Sequence, residues 1–534
     1  MKFVMNRSRW FILSAIILCI VIVMTGCGEN VPGQKDNGSN SAEQPGTNSA
    51  NKEEFKKVTL IYTFKSGSLD PHNGSTPLRA GIVETLVRLN ERLEIEPWLA
   101  TEWEAKDDRT WVFTIHDGVT FQDGTAVDAA AVKASFERGI AASPTLAGAL
   151  KIESMEADGQ KLAIVTTEPH PSLPSELVNP SASVISVAAE SKMGTEAFNL
   201  APVGTGPFSV KKFTPNIEIE LERYDQYWDG AAKVNEVSYK FNEDANVRAM
   251  ALQSKEADIV YQIPAEMVDV INGDNELNVE SVSSLRVHYL LFNQQKPLLQ
   301  DVKFREAINL LVDRESIVND IMLGHAAPAN GPFNSRLPFG SKDEVRKLDL
   351  EGAKKLLIEA GFVEGADGKL SKEGKPLTLE VATYKGRPEL PLIAQLLQSD
   401  AAKLGITMNI RTVENVDTYL RENNDWDLAT YSNLSAPRGD GGYFLNSAFA
   451  PGGSLNATDT SSEKINEVLG RLNATGDLKQ RVELTKEATG IVAQEVPHAY
   501  AVYPNIIVGV NKRVTDWKPG AEEYYIITNK MDVK

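Results

Sequence analysis

The side chains that could do chemistry are few, and their spacing limits what that chemistry can be. The six histidines are His72, His116, His170, His288, His325 and His498. None is paired with another at a metal-ligand spacing, so a nickel or zinc site built wholly from side chains is not expected. His498, between Pro497 and Tyr500, and His72, at the end of a turn, could each offer a single imidazole to a ligand. Arg438 lies in a glycine-rich loop, Tyr431 to Asn446, and carries a planar fork of donors suited to a carboxylate. It could equally brace the loop by pairing with Asp440 or a neighbouring acid. There is no G-x-S-x-G elbow, no H-E-x-x-H helix and no G-x-x-x-x-G-K-[ST] loop. Val203-Gly-Thr-Gly206 reads as a tight turn rather than a phosphate cradle. Both cysteines, Cys19 and Cys27, precede the body, which therefore has no disulfide, no cysteine-built zinc site and no thiol nucleophile. These residue types point to binding and away from catalysis.

The chain is 534 residues long, too long for one hydrophobic core. Its formal net charge is −18, and loss of Lys2, Arg7 and Arg9 with a leader would take it to about −21. Such a surface repels nucleic acid, so no nucleic-acid partner is expected. It also disfavours attraction to anionic lipid by charge alone. The basic N-terminus leads into an apolar run from Trp10 to Met24, and Met24-Thr-Gly-Cys27 follows at once. Residues 1–26 read as a secretory signal, too short for a spanning helix. Met24-Thr-Gly-Cys27 resembles the lipobox of bacterial lipoproteins, which implies lipidation of Cys27. Plain secretion and an uncleaved anchor are the alternatives. Residues 27–56 are then the lipidated cysteine and a tether, because they carry few core-forming residues. The location this implies is the extracytoplasmic face of a bacterial cell membrane of Gram-positive type, held by the lipid alone.

The candidate residues must be positioned by an α/β body. Val58 to Phe64, Thr110 to Ile115, Ile217 to Arg223, Leu377 to Tyr384 and Ile406 to Val413 alternate as strands. Asp128 should cap a helix running through Phe136. Arg79 to Arg88, Phe304 to Met322, Leu350 to Ala360 and Leu392 to Leu404 carry a helical period. Two runs are richer in apolar residues than the rest: Leu285 to Asn293 and Ala499 to Gly509. They are expected to be crossings between two lobes, with a cleft between the lobes. Two ordinary core strands of one large domain would show the same pattern.

Several motifs then fall in order. They are Leu69-Asp-Pro-His72, Pro97-Trp-Leu-Ala100 with Trp103, Trp111 through Gly124, Pro202 through Phe208 and Tyr224-Asp-Gln-Tyr-Trp228. Phe304-Arg-Glu-Ala-Ile-Asn309 with Asp313-Arg314, and Ala353 through Phe362, continue the series. From about Val58 to Asp532 the body resembles the solute-binding proteins of peptide- and nickel-type ABC importers, family 5. The resemblance implies an α/β, two-lobed periplasmic-binding-protein-like fold of type II, cluster C, with two hinge crossings. It places lobe I at 57–286, with an inserted subdomain at about 91–201, lobe II at 287–502 and a return to lobe I at 503–534. It implies a monomer that hands its solute to permease subunits, with no chemistry on the solute and no cofactor. In peptide-binding relatives the 431–446 loop has an early tryptophan and an aspartate for the peptide's amino end. Here Leu434 and Pro437-Arg438 stand at those places. The loop is more similar to those of nickel-type members, although Ala450-Pro-Gly-Gly-Ser454 lacks a histidine some of them carry. The ligand implied is therefore nickel or another divalent metal held by histidine or an opine-type metallophore. The alternatives are an oligopeptide receptor of the same architecture and, more remotely, an extracytoplasmic hydrolase. Arg438, Tyr443, Asn446, His498, Tyr62, His72 and Trp103 are the residues expected at the ligand, with His498 as the one metal ligand.

Overall fold

The computed structural model describes residues 55–534, which form one compact unit. Cys27 and the leader lie outside the described residues. Two sheets organise the body, and one long strand belongs to both. The first contains Lys57–Tyr62 parallel to Glu236–Phe241 and Ile259–Tyr261, followed outward by Glu218–Arg223 and Phe208–Thr214. The second runs Thr407–Thr412, Thr378–Thr383, Leu428–Leu434 and Arg286–Phe292. The strand His498–Asn511 pairs with Arg286–Phe292 through residues 498–502. Further along it pairs with Leu277–Ser283 and Ile259–Tyr261, in the first sheet. The body is the two-lobed, type II periplasmic-binding-protein-like α/β fold, and this strand is one of its two hinge crossings.

The other crossing is the step from Leu277–Ser283 to Arg286–Phe292. Ser284 Oγ donates to the Pro504 carbonyl at 2.7 Å, so the two crossings are tied together at the point where each changes sheet. Pro504 lacks an N–H, which suits a place where the ladder changes partners. All but one residue of His498–Asn511 are buried, so a near-continuous apolar run, rather than alternation, is what this strand requires.

An inserted subdomain carries its own antiparallel sheet, in the order Ala100–Ala105, Thr110–Ile115, Lys161–Thr166, Ile152–Asp158. The helix Ala129–Ala142 packs on it through Val132 and Phe136, and Asp128 caps it by accepting from Ala131 N at 2.8 Å. In lobe II, Phe304, Ile308, Leu357, Leu379, Ile393 and Leu397 share one core between helices and sheet.

Two predicted helices are corrected. Arg79 to Arg88 is not helical: a short helix Thr76–Arg79 ends there, and Val87–Leu89 is a strand. Gly81 takes φ +68°, and a Cβ on it would stand 2.7 Å from the Ile527 carbonyl. Ile82 through Val87 are all buried, which a one-sided surface helix cannot achieve. Phe304 to Met322 is broken after Leu310. Asp313 accepts from Ser316 N and starts a new turn, which lets buried Arg314 donate to the carbonyls of Ala329 and Tyr500.

Candidate ligand site at the Arg438 loop

The strand Leu428–Leu434 delivers the chain to the loop that holds Arg438. Ser435 N donates to the Leu285 carbonyl at 2.9 Å, which anchors the loop beside the first crossing. Gly439 has φ +69°, and a Cβ there would meet the Leu93 carbonyl at 2.6 Å, so the loop turns against lobe I only with glycine. Asp440 accepts from Gly442 N at 2.7 Å and opens the helix Gly442–Phe449, which carries Tyr443 and Asn446.

Beside this loop lies a cavity of about 460 Å³. Arg438, Tyr443, Asn446 and Arg481 line it together with Lys151, His170 and Glu176 of the inserted subdomain. Three of the residues expected at the ligand, Arg438, Tyr443 and Asn446, thus meet in its lining. Arg438 is buried, its guanidinium 4.1 Å from the centre of the Tyr443 ring. Its partner is Glu176 of the inserted subdomain; it does not pair with Asp440. Burial pulls the Arg438 pKa below the usual guanidinium value, against the opposing influence of Tyr443, Tyr524 and Asp440. Asp440 is instead gripped by Arg481 at 2.8 and 2.9 Å. Asn446 exchanges amide hydrogen bonds with Asn473, 2.9 Å each way. Burial lowers the His170 pKa to about 4, so its imidazole is neutral at pH 7.

Tyr62 lies elsewhere, in a second polar cluster. It is buried among Tyr239 and Tyr261, with Arg79 5.1 Å from its ring centre. Nearby, Glu523 accepts from Arg286 Nε at 3.0 Å and Nη2 at 3.2 Å, and Arg387 stands 3.5 Å away. Burial alone would raise the Glu523 pKa, but Arg286, Arg387 and Arg79 together hold it down at about 2. The hydroxyls of Tyr62, Tyr239 and Tyr289 are buried without a hydrogen-bond partner among the described residues. Glu523 lies near the C-terminus and Tyr62 and Arg79 near the start of the described residues, so this cluster joins segments far apart in sequence.

Three expectations are corrected. His72 does not line the cavity: it is fully buried, Nε2 lies 3.1 Å from the Ser183 carbonyl, and Arg138 Nη1 lies 3.1 Å from Nδ1. With Nε2–H donating, Nδ1 accepts, and burial lowers the pKa to about 4. His498 is off the wall of the large cavity, boxed by Tyr289 at 4.8 Å and Phe449 at 5.1 Å between ring centres. Burial drives its pKa to about 3, because the strand that carries it is covered on both faces. Trp103 packs on Phe113 within the subdomain sheet, ring centres 6.4 Å apart, and does not line the cavity. Among the described residues no group of three or more His, Cys, Asp and Glu is placed to hold a metal ion.

Residues 94–456 match the family described as bacterial extracellular solute-binding proteins, family 5 Middle. The chain belongs to that family. Over 521 residues it is 32% identical to the nickel-binding protein NikA of Staphylococcus aureus, covering 97% of this chain and 99% of the relative. The crystal structure of the S. aureus NikA in complex with Ni(L-His)2 aligns at a TM-score of 0.83, covering 90% of this chain and all of that one. A nickel ABC transporter structure from Bacillus halodurans is 42% identical over 90% of this chain, again covering all of that chain, with a TM-score of 0.72. The oligopeptide-binding protein AppA of Bacillus subtilis, in complex with a nonapeptide, shares the fold at 20% identity and a TM-score of 0.78, covering 90% of this chain and 99% of that one.

Family 5 membership makes the body a solute-binding protein for an ABC importer. No helix among the described residues is long and apolar enough to cross a membrane. Sequence reasoning missed Glu176, Arg286, Arg387, Arg481 and Glu523. One signal was available: Glu522-Glu523 abuts Tyr524-Tyr-Ile-Ile527, and an acid beside an apolar run is a candidate for burial with a cation. Nothing in the local sequence around Glu176 marks it.

Proposed function

We propose that this protein captures nickel, or another divalent transition metal, as a carboxylate-bearing chelate in the cleft between its lobes and delivers it to membrane permease subunits. The observation that carries this reading is the convergence of Arg438, Tyr443 and Asn446 on the wall of the cavity of about 460 Å³. That volume lies in the range of roughly 300–1,000 Å³ usual for small-ligand sites. Arg438 supplies a charge-assisted contact for a carboxylate, and the Tyr443 ring packs against its guanidinium. The described side chains offer a metal only scattered imidazoles, so the chelator brings most of the donors. The S. aureus relative, seen with Ni(L-His)2, supports the same class of ligand. The protein acts as a monomer, held to the outer face of the membrane through lipid on Cys27, and closes around the chelate by rotation about the tied crossings at Ser284 and Pro504.

Titration calorimetry of residues 55–534 with the neutral bis(histidinato)nickel complex, with nickel chloride and with a peptide mixture tests this. The chelate is expected to bind and free nickel to bind far more weakly. Tight binding of peptides with no heat from the chelate would establish the oligopeptide reading instead.

A further inference from the structure

The cavity wall carries two ion pairs that differ in kind. Arg481 and Asp440 are saturated. Arg481 makes two hydrogen bonds to the Asp440 carboxylate, one to the Leu472 carbonyl at 2.7 Å and one to the Thr475 carbonyl at 2.9 Å. Asp440 also accepts from Gly442 N. Neither group has much left to offer a solute, so the pair is a brace for the loop and helix. Lys151 is committed to Glu168. His170 Nε2 is 2.9 Å from the Ala149 carbonyl.

The Arg438–Glu176 pair is sparse by comparison. Among the described residues Arg438 has this ion pair and the Tyr443 ring. Glu176 Oε2 is fully enclosed and faces the Arg438 charge. Glu176 ends the short helix Leu173–Glu176 in the inserted subdomain, so the two charges come to the cavity lining from separate segments of the chain.

We infer that Glu176 is a specificity-determining residue that selects chelates by net charge. Resting on the chelate reading, this selection is electrostatic. A solute carboxylate that engages Arg438 must share or displace the Glu176 carboxylate. A displaced Glu176 stays in the cavity wall, where an unpaired charge is costly. A neutral chelate resolves this, because its carboxylate meets Arg438 while its cationic centre lies toward Glu176. An anionic chelate brings negative charge to both members of the pair and is rejected by Glu176. Glu176 thus makes the site selective for overall neutral complexes on a wall that already holds a carboxylate-binding arginine.

Calorimetry with the neutral bis(histidinato)nickel complex and the dianionic nickel–EDTA complex tests the inference on the unsubstituted protein, Glu176→Gln and Glu176→Asp. In Glu176→Gln the ratio of affinities is expected to move by about tenfold or more toward nickel–EDTA, with Glu176→Asp between the two. Should Glu176→Gln fail to fold, Glu176→Asp alone carries the test, since retracting the carboxylate shifts the ratio the same way. An unchanged ratio, or equal loss of both affinities, overturns the inference and assigns Glu176 a purely structural role. Failure of the unsubstituted protein to bind either complex overturns the chelate reading itself.

Discussion

Glu523→Gln is the most informative single change, because it leaves the shape and removes one buried charge from among arginines. Glu523 is 2% exposed and accepts two hydrogen bonds from Arg286, with Arg387 at 3.5 Å. Its pKa falls from the ordinary 4.5 to about 2, despite a burial effect in the other direction. That depression corresponds to about 3 kcal/mol of stability at neutral pH. Because the folded pKa lies below the unfolded one, this contribution is complete above about pH 4.5 and is lost as pH falls toward about 2. At about pH 3 less than half of it should remain. The substitution also strands two buried guanidinium groups, so the total loss at neutral pH should reach about 3–5 kcal/mol. Urea unfolding of both proteins at neutral pH and near pH 3 measures this. The gap between them should narrow by about 2 kcal/mol on acidification. A loss under about 1 kcal/mol, or a gap that stays constant with pH, would refute the assignment of Glu523 as the charged centre of this cluster.

Four further outcomes are expected. Arg438→Ala should weaken binding of the neutral nickel chelate by about 2–5 kcal/mol in calorimetry, roughly thirtyfold or more, and Arg438→Lys should recover only part, since a point charge cannot reproduce the fork. His498→Ala should lower stability by about 1–3 kcal/mol while leaving chelate affinity unchanged; lost nickel binding at full stability would restore the imidazole as a metal ligand. Small-angle scattering should show a smaller radius of gyration at saturating chelate, and a constant radius would argue against closure. Cys27→Ala should release the protein to the medium or leave it unprocessed, and membrane retention of a correctly cleaved variant would remove the lipid anchor from the account.

Local sequence determined the regular elements wherever one physical rule dominated. Thr110–Ile115 is a strand because its apolar and β-branched alternation has no helical competitor, and Asp128 begins a helix because its carboxylate satisfies an otherwise orphan N–H. The two crossings were legible as continuous apolar runs, since a strand buried on both faces cannot alternate. Arg438, Tyr443 and Asn446 were legible because one glycine-rich loop and its helix hold them close in sequence. Tertiary structure decided what sequence spacing cannot encode. Gly81 broke the predicted helix because of where Ile527 lies, more than 400 residues away. His72 and His498 were lost to the interior because Arg138 and Phe449 reach them from distant segments. The partner of Arg438 is Glu176 rather than nearby Asp440, since Arg481 had already claimed Asp440 from another helix. Charge pairing in a folded interior is set by which groups are desolvated together, and that is a property of packing that no local window contains.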